Sequence, residues 1–301
     1  MAKTSIDLID AVDMFPYAET DLDAFTKMNA GLYTLVWRDS QGTYPIGYIL
    51  DRVARELHRV PEEVRGEMEC DDEKKTIVLF QEPTEEQRTR RAATLADYWR
   101  KNGTFPLLRG WRDELWPVYG RSGELLFSME RAAIGLLGTV RYGVHMIAYV
   151  KDGTAPHGIR LWVPTRAQNK ATFPGMLDNT VAGGLMTGED PFECVIREAD
   201  EEASLPGDIV RKSAKFVGNV TYIYITDEGQ VGEGGFIYPE CQWLYDLELP
   251  NDVIPQPKDG EAEKFELCDV DQVKPEIEQI KRRVRRDIPF PGPHQSNWRS
   301  L

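Results

Sequence analysis

Apolar positions in the first 135 residues alternate between strand-like runs and helical spacing, which predicts a small α+β unit. Ile49, Val53 and Leu57 recur every four residues and predict an amphipathic helix. Thr84 and Gln87 form a capping box at the start of another helix, and Gly103 suits its end. The predicted helices cover residues 21–30, 47–59, 84–103 and 125–137, and the predicted strands cover residues 33–37 and 76–80.

The following residues, 136–285, combine β-rich runs with helical segments and predict a second, α/β domain. Predicted strands cover residues 145–150, 159–163, 217–225 and 242–247, and predicted helices cover residues 191–203 and 271–285. The last stretch, 286–301, is rich in Pro, Gly and polar residues and predicts an extended tail. The sequence therefore divides into residues 1–135, 136–285 and 286–301.

The charge balance argues against a polymeric anion as partner. The chain of 301 residues has a net charge of −14, which repels nucleic acid phosphates at long range. Its basic cluster, at residues 281–286, lies in a predicted surface helix and suits a solvated face. A small anionic substrate stays compatible with this balance, because a local pocket with a metal ion acts at short range.

Several further sequence features bear on compartment and cofactors. The first residues carry Asp7, Asp10 and Asp13 and lack the basic-then-apolar order of a leader peptide. No apolar stretch is long enough to span a membrane. Four scattered cysteines without a CxxC pair indicate reduced thiols, and four dispersed histidines argue against a histidine-rich metal site. A cytoplasmic protein is the expectation.

The most informative stretch is residues 183–205, GGLMTGEDPFECVIREADEEASL. Asp190 is a good N-cap, Pro191 suits the first helical position, and Glu193 completes a predicted capping box. The helix that follows places a run of carboxylates close together, three and four residues apart. They are Glu198, Glu201 and Glu202.

Carboxylates at this spacing project from nearly one face of a helix, where they repel one another. A divalent cation offsets that repulsion, and hard oxygen ligands favour Mg²⁺ or Mn²⁺ over Zn²⁺. Arg197 is a second source of positive charge and can pair with Glu189. The alternative is a solvated acidic face, which the run EADEE taken alone favours.

The order of the surrounding residues resembles the Nudix box. Gly183 is followed by five residues and Glu189, and seven further residues precede Arg197-Glu198. Glu201-Glu202 and an apolar Leu205 follow at the spacing of the box. Ser204 departs from the pattern, which has glycine there to support the turn after the helix.

This resemblance implies a Nudix fold, an α/β/α sandwich with a mixed sheet. It also implies a hydrolase in which Glu198, Glu201 and Glu202 hold Mg²⁺ or Mn²⁺ against a small-molecule diphosphate. Arg197 completes the expected catalytic set and holds the loop to the helix together with Glu189. The identity of the general base varies within the family and stays open.

The likeness extends beyond the box. Residues 110–118, 130–150, 160–184 and 259–265 resemble the Nudix domains associated with thiamine pyrophosphokinase in fungi, including their small N-terminal domain. This implies cleavage of thiamine diphosphate, or of its damaged oxy and oxo analogues, to the monophosphate and phosphate, as metabolite repair. No kinase domain is expected after residue 301. Oxidised nucleoside diphosphates and nucleotide-sugar diphosphates are the alternative substrates.

Further residues have more than one interpretation each. Arg166 and Lys170 follow a strand and suit phosphate binding or surface solvation. Asp178 suits a structural role in its loop more than a substrate contact. Glu261 and Glu263 suit an additional metal ligand, the general base or an acidic surface loop. The residues predicted on the substrate side are Arg166, Lys170, Asp178, Gly183, Gly184, Glu261 and Glu263.

The aromatic residues and the N-terminal domain bear on specificity. Each of four aromatic residues suits the core individually, yet some aromatic contact to a substrate ring is expected. The N-terminal domain either covers the active site and selects that ring or mediates a homodimer. The four aromatic residues are Trp111, Trp116, Tyr142 and Trp162.

Three competing functions are weaker. Isopentenyl diphosphate isomerase needs a reactive cysteine, but Cys194 lies inside the box helix and no cysteine-bearing loop precedes it. Messenger RNA decapping conflicts with the acidic balance and the lack of a basic tract. A non-catalytic diphosphate-binding module conflicts with the presence of all three glutamates.

Overall fold

The computed structural model describes residues 13, 15–170, 173–226 and 233–275. Up to residue 130 it alternates short strands with helices, as expected for an α+β unit. The helices are α1 (Leu22–Asn29), α2 (Asp51–Arg59), α3 (Glu62–Arg65) and α4 (Glu85–Lys101). The strands are β1 (Leu32–Asp39), β2 (Gly42–Leu50), β3 (Glu69–Asp71), β4 (Thr76–Val78), β5 (Leu115–Tyr119) and β6 (Leu125–Glu130).

Two sheets and one core organise this first part. The strands pair in the order β2-β1-β4-β3, with β1 and β4 parallel, and β5 pairs with β6 in a separate hairpin. Leu35, Ile49, Leu57 and Trp99 pack in a shared core that also takes in the hairpin. The predicted capping box of α4 is confirmed, because Thr84 and Gln87 exchange hydrogen bonds of 3.2 and 3.3 Å.

Two predicted helices need correction. The segment 47–59 is helical only from Asp51, because residues before it complete β2. Gly47 is confined there by the carbonyl oxygen of Leu137, which a Cβ would approach to 2.4 Å. The segment 125–137 forms strand β6 and a 3₁₀ turn, Ile134–Leu136. Strand β6 is buried nearly throughout, including the polar Ser128 and Glu130, so no exposed polar face marks it as a strand rather than a helix.

The second part is built on a six-stranded mixed sheet. Its central strand β7 pairs with β11 in parallel on one edge and with β8 and β9 antiparallel on the other. Strand β10 lies outside β11, and β12 lies outside β8. The strands are β7 (Arg141–Lys151), β8 (Ile159–Arg166), β9 (Val181–Gly184), β10 (Ala214–Ile225), β11 (Ile237–Glu248) and β12 (Ala262–Asp269).

Helices α5 (Pro191–Ala203) and α6 (Gly207–Ser213) pack against this sheet. The predicted bounds of α5 are confirmed. Its apolar side chains, among them Cys194, Val195 and Ala199, are buried against Val144 and Met146 of β7. Glu198 and Glu202 lie on the same side of α5 as these residues, so the burial also fixes their carboxylates against β9.

The C-terminal end is described only in part. Residues 270–275 are helical, close to the predicted start at residue 271. The rest of that predicted helix, its basic cluster and the tail 286–301 lie outside the described residues. Within the described ranges, none of the helices has the length and apolar character needed to cross a membrane.

The turn after α5 gives a stability prediction. Ser204 lies there with φ +53, the left-handed conformation that glycine adopts without strain. We expect Ser204→Gly to raise the free energy of unfolding by about 0.5–1 kcal/mol, the relief of strain exceeding the entropy gained by the unfolded chain. Urea unfolding measures this, with Ser204→Ala as the control that keeps the strain. A less stable glycine variant would contradict it.

Candidate active site

The start of α5 holds the loop before it in place. The Asp190 carboxylate accepts from the amides of Phe192 (2.8 Å) and Glu193 (3.3 Å), as expected of an N-cap. The predicted capping box is wrong in its second half. The Glu193 carboxylate instead binds Arg211 through two hydrogen bonds of 2.6 Å, which tie α5 to α6.

The predicted pairing of Glu189 with Arg197 is present as a two-pronged contact. Arg197 Nε and Nη2 donate to the two oxygens of Glu189 at 2.7 and 3.1 Å. The same guanidinium donates through Nη1 to Glu198 at 2.8 Å and to Glu201 at 3.0 Å. Burial raises the pKa of Glu189, but its bonds with Arg197 outweigh that and lower it overall. Arg197 therefore joins Glu189 of the loop to Glu198 and Glu201 of α5, a positioning role.

Strand β9 brings two of the predicted glutamates together. Glu198 lies over Gly183, where a Cβ would approach its carboxyl carbon to 2.1 Å. Glu202 accepts the backbone amide of Ala182 at 2.9 Å. Glu201 differs from both, because its side chain is half exposed and pairs with Arg197. The three carboxylates thus share one helix but not one orientation.

Burial of these two carboxylates changes their acidity. Burial raises the pKa of Glu198 to about 7, against the opposing effect of Arg197. Burial raises the pKa of Glu202 to about 9, with further increases from Glu198 and Glu261. A buried cluster of this kind favours the charged form only when a positive charge joins it.

A loop before β12 adds carboxylates to Glu202. Ligand oxygens of Glu202, Asp259 and Glu261 lie within 4.8 Å of one another. Asp259 also accepts the amide of Glu261 at 2.8 Å, across a Gly260 with φ +81. Sequence reasoning proposed Glu261 but missed Asp259, whose signal was its place two residues before Glu261 in the late acidic loop.

The predicted phosphate-binding cations lie beside this group. Lys170 pairs with Glu261 at 2.5 Å, and Arg166 forms an ion pair with Asp178. Burial raises the pKa of Glu261, but its bond to Lys170 outweighs that and lowers it. Arg166, Asp178, Glu202 and Glu261 line one small cavity. Glu263 is exposed at a bulge of β12 and is not among the residues that line this cavity.

The four predicted aromatic residues separate into different surroundings. Trp116 is buried and lines a second cavity next to β9, to which Tyr142 also contributes. Trp111 packs against Arg100, donates to Asp113 and lines neither cavity. Trp162 packs on the core beneath α5. Only Trp116 and Tyr142 are therefore placed for contact with a substrate ring.

The donor set fits a hard divalent cation. Glu202, Asp259 and Glu261 offer only carboxylate oxygens, the ligands preferred by Mg²⁺ and Mn²⁺. Glu198 lies close enough to raise the pKa of Glu202 by its charge. The clustered carboxylates and the raised pKa of Glu202 both indicate that the cluster lacks positive charge. A bound divalent cation would provide it.

Comparison with known families agrees with this geometry. A domain of unknown function (DUF4743) matches residues 41–141, and the NUDIX domain matches residues 141–288. The chain belongs to the Nudix family. The NUDIX domain and the similarity to Nudix hydrolases support a hydrolase that acts on phosphoric anhydride bonds, and members of the family generally use divalent metal ions. The predicted Nudix fold class, with an N-terminal unit of helices and strands, is confirmed.

Related sequences come from yeast and plants. The uncharacterized protein YJR142W of Saccharomyces cerevisiae is 33% identical over 266 residues, covering 87% of this Nudix chain and 75% of that protein. Nudix hydrolase 20, chloroplastic, of Arabidopsis thaliana is 37% identical over 198 residues, covering 65% of this chain and 48% of the plant protein. The chain thus spans about half the length of that plant relative.

The comparison with solved structures gives matches that are more distant in sequence. DR0079 from Deinococcus radiodurans is 20% identical, with a TM-score of 0.38 and coverage of 57% of this Nudix chain and 100% of that one. An Ap4A hydrolase from C. elegans is 17% identical, with a TM-score of 0.33 and coverage of 48% and 93%.

Proposed function

We propose that this Nudix hydrolase is metal-dependent and cleaves thiamine diphosphate or its oxy and oxo analogues to the monophosphate and phosphate. The observation that carries the proposal is the cluster of three carboxylates from Glu202, Asp259 and Glu261. Glu198 lies beside this cluster, and the cationic side chains of Lys170 and Arg166 lie at its edge. The thiamine assignment rests on the sequence resemblance. A repair role in the cytoplasm follows from it as part of the same proposal.

Each part of the site has a task in this reaction. A bound divalent cation neutralises the diphosphate and makes the attacking water more acidic. Arg166 offers a two-pronged contact to a phosphate and Lys170 a point charge, each exchanging its carboxylate partner for substrate. A carboxylate of the group takes the proton of water as water adds to one phosphorus. The bond from that phosphorus to the bridging oxygen then breaks.

Phosphate release from a panel of diphosphates tests the proposal. The panel contains thiamine diphosphate, oxythiamine diphosphate, ADP-ribose and normal and 8-oxo nucleoside diphosphates, each with Mg²⁺ or with EDTA. We expect Mg²⁺-dependent release, with a preference for the thiamine-type compounds. Preference for nucleotides would keep the chemistry and overturn the thiamine assignment. Lack of metal-dependent turnover on every compound would contradict the catalytic proposal.

Metal binding is expected to depend on pH. Glu198 and Glu202 keep protons in the folded, metal-free protein at pH values where the unfolded chain has lost them. The free energy of unfolding without metal therefore falls as the pH rises from about 4.5 towards about 9. A cation that binds these carboxylates releases their protons, so its affinity rises over this window by up to about tenfold per pH unit for each proton released.

Thermal unfolding with and without Mg²⁺ measures this linkage. The Mg²⁺-induced rise in Tm is expected to be larger at pH 8.5 than at pH 6. Glu202→Gln, which has no proton to release at this position, is expected to show a smaller difference between the two pH values. An equal rise in Tm at both pH values for the wild type would contradict the prediction.

A further inference from the structure

A second cavity lies next to the carboxylates, between the N-terminal hairpin and the mixed sheet. It has a volume of about 440 Å³ including its open mouth, which suits a fragment of a small ligand. Trp116 of β5 forms one wall, and β7, β9 and β11 form the floor. The sheet side chains that line it include Arg141, Glu240 and Gln242.

Strand β9 lies between this cavity and the carboxylates, and neighbouring residues of the strand face one or the other. A Cβ on Gly184 would meet the Trp116 ring at 2.3 Å, whereas one on Gly183 would meet Glu198 at 2.1 Å. Consecutive residues of a strand point to opposite faces, so the Trp116 wall and Glu198 lie on opposite sides of β9. Ala182 lines the cavity and gives its amide to Glu202. Residues 182–184 of β9 are therefore a wall that the cavity and the carboxylates share.

The floor of the cavity contains an ion pair between Arg141 and Glu240. Arg141 lies between the rings of Trp116 (4.9 Å) and Tyr238 (4.3 Å), and its Nη1 is 3.6 Å from Glu240 Oε1. Glu240 Oε2 accepts from Tyr222 (2.8 Å) and Gln242 (2.9 Å). These contacts fix the carboxylate and leave Oε1 able to accept a further hydrogen bond. The pair is neutral overall, so the cavity suits a ring better than a phosphate.

Unsatisfied polar atoms point to the same conclusion. Within the described ranges, Arg141 Nε, Gln242 Oε1 and Trp116 Nε1 are buried without a hydrogen-bond partner. Gln242 is only 7% exposed and lies against Gly143 on the cavity floor. Buried donors and acceptors left unpaired cost stability, so a site that retains several of them favours a ligand with complementary groups.

We propose that this cavity binds the heteroaromatic ring of the substrate, an amino- or oxo-substituted pyrimidine. Glu240 accepts from its ring donor, Arg141 donates to the adjacent acceptor, and Trp116 supplies the apolar wall. This inference rests on the proposed function, because the neighbouring carboxylates are taken to hold the diphosphate of the same molecule. It gives the N-terminal unit a direct part in substrate selection through Trp116.

Two measurements test it. The first is the ratio of kcat/KM for oxythiamine diphosphate to that for isopentenyl diphosphate, which has no ring. The second is the Kd of oxythiamine monophosphate by calorimetry in EDTA, which needs no catalysis. We expect Glu240→Gln to lower the ratio and raise the Kd, each by at least about tenfold, the effect of losing a charge-assisted hydrogen bond. Arg141→Lys, a second variant, is expected to act in the same direction.

Glu248→Gln is the matched control, since Glu248 lies on the same strand and pairs with Lys151 on the surface at 2.9 Å. It is expected to change neither quantity. An unaltered ratio and Kd in folded Glu240→Gln and Arg141→Lys proteins would overturn the ring site. The wild-type protein could bind the ring, and the variants could weaken that binding, while none of the diphosphates is cleaved. This outcome would support the ring site and contradict only the proposed function.

Discussion

Replacement of Glu202 by glutamine is expected to lower kcat by about 10³-fold and, at the same time, to stabilise the metal-free protein at pH 8. Glutamine keeps the size of the side chain, and its carbonyl oxygen still accepts the amide of Ala182. It removes one of the three negative charges that Glu202, Asp259 and Glu261 would offer to the proposed cation. The loss of charge weakens metal binding, and it also removes a buried acid whose pKa is raised to about 9.

Phosphate release with saturating Mg²⁺ and thermal unfolding in EDTA measure the two effects. Glu266→Gln is the matched control, because Glu266 lies exposed on β12 and pairs with Lys264 at 2.8 Å. It is expected to change neither kcat nor Tm. A Glu202→Gln protein with kcat within tenfold of the wild type would remove Glu202 from the active site, and a lower Tm in EDTA would contradict the stated cost of its burial.

The sequence predicted most accurately those features that depend on neighbouring residues. Helix α5 begins at Pro191 directly after its Asp190 cap and ends directly before the left-handed Ser204, so each end is marked by the residue next to it. The contact of Glu189 with Arg197 also followed from spacing alone. By contrast, β6 was predicted to be helical because it is buried nearly throughout, and only its pairing with β5 makes it a strand.

The candidate site shows the same division between local and distant information. Helical spacing placed Glu198, Glu201 and Glu202 on one side of α5, but burial against β9 selects Glu198 and Glu202 and leaves Glu201 half exposed. Asp259 joins Glu202 across 57 residues of chain because β12 pairs with β8. Contacts of this kind depend on tertiary pairing, for which the helical periodicity of α5 contains no signal.

Replacement of Gly183 by alanine is expected to lower kcat by about 100-fold while the free energy of unfolding changes by less than about 1 kcal/mol. The new Cβ would lie 2.1 Å from both Cγ and Cδ of Glu198, so that side chain must move. Gly183 has no left-handed φ, and the group it would displace is a flexible side chain, which keeps the cost in stability small. A displacement of about 1 Å in a catalytic group is enough for such a loss of rate.

Two other glycines separate this effect from the general effect of an added methyl group. Gly153→Ala, with open space around its Cβ, is expected to change neither kcat nor stability. Gly184→Ala would meet the buried Trp116 ring at 2.3 Å, so it is expected to lower stability more than Gly183→Ala does. If Gly183→Ala kept the wild-type kcat, the position of Glu198 over β9 would be unimportant for catalysis. If Gly183→Ala lost much of its stability, the loss of kcat would instead be explained by unfolding. The catalytic explanation requires the protein to stay folded while Glu198 moves.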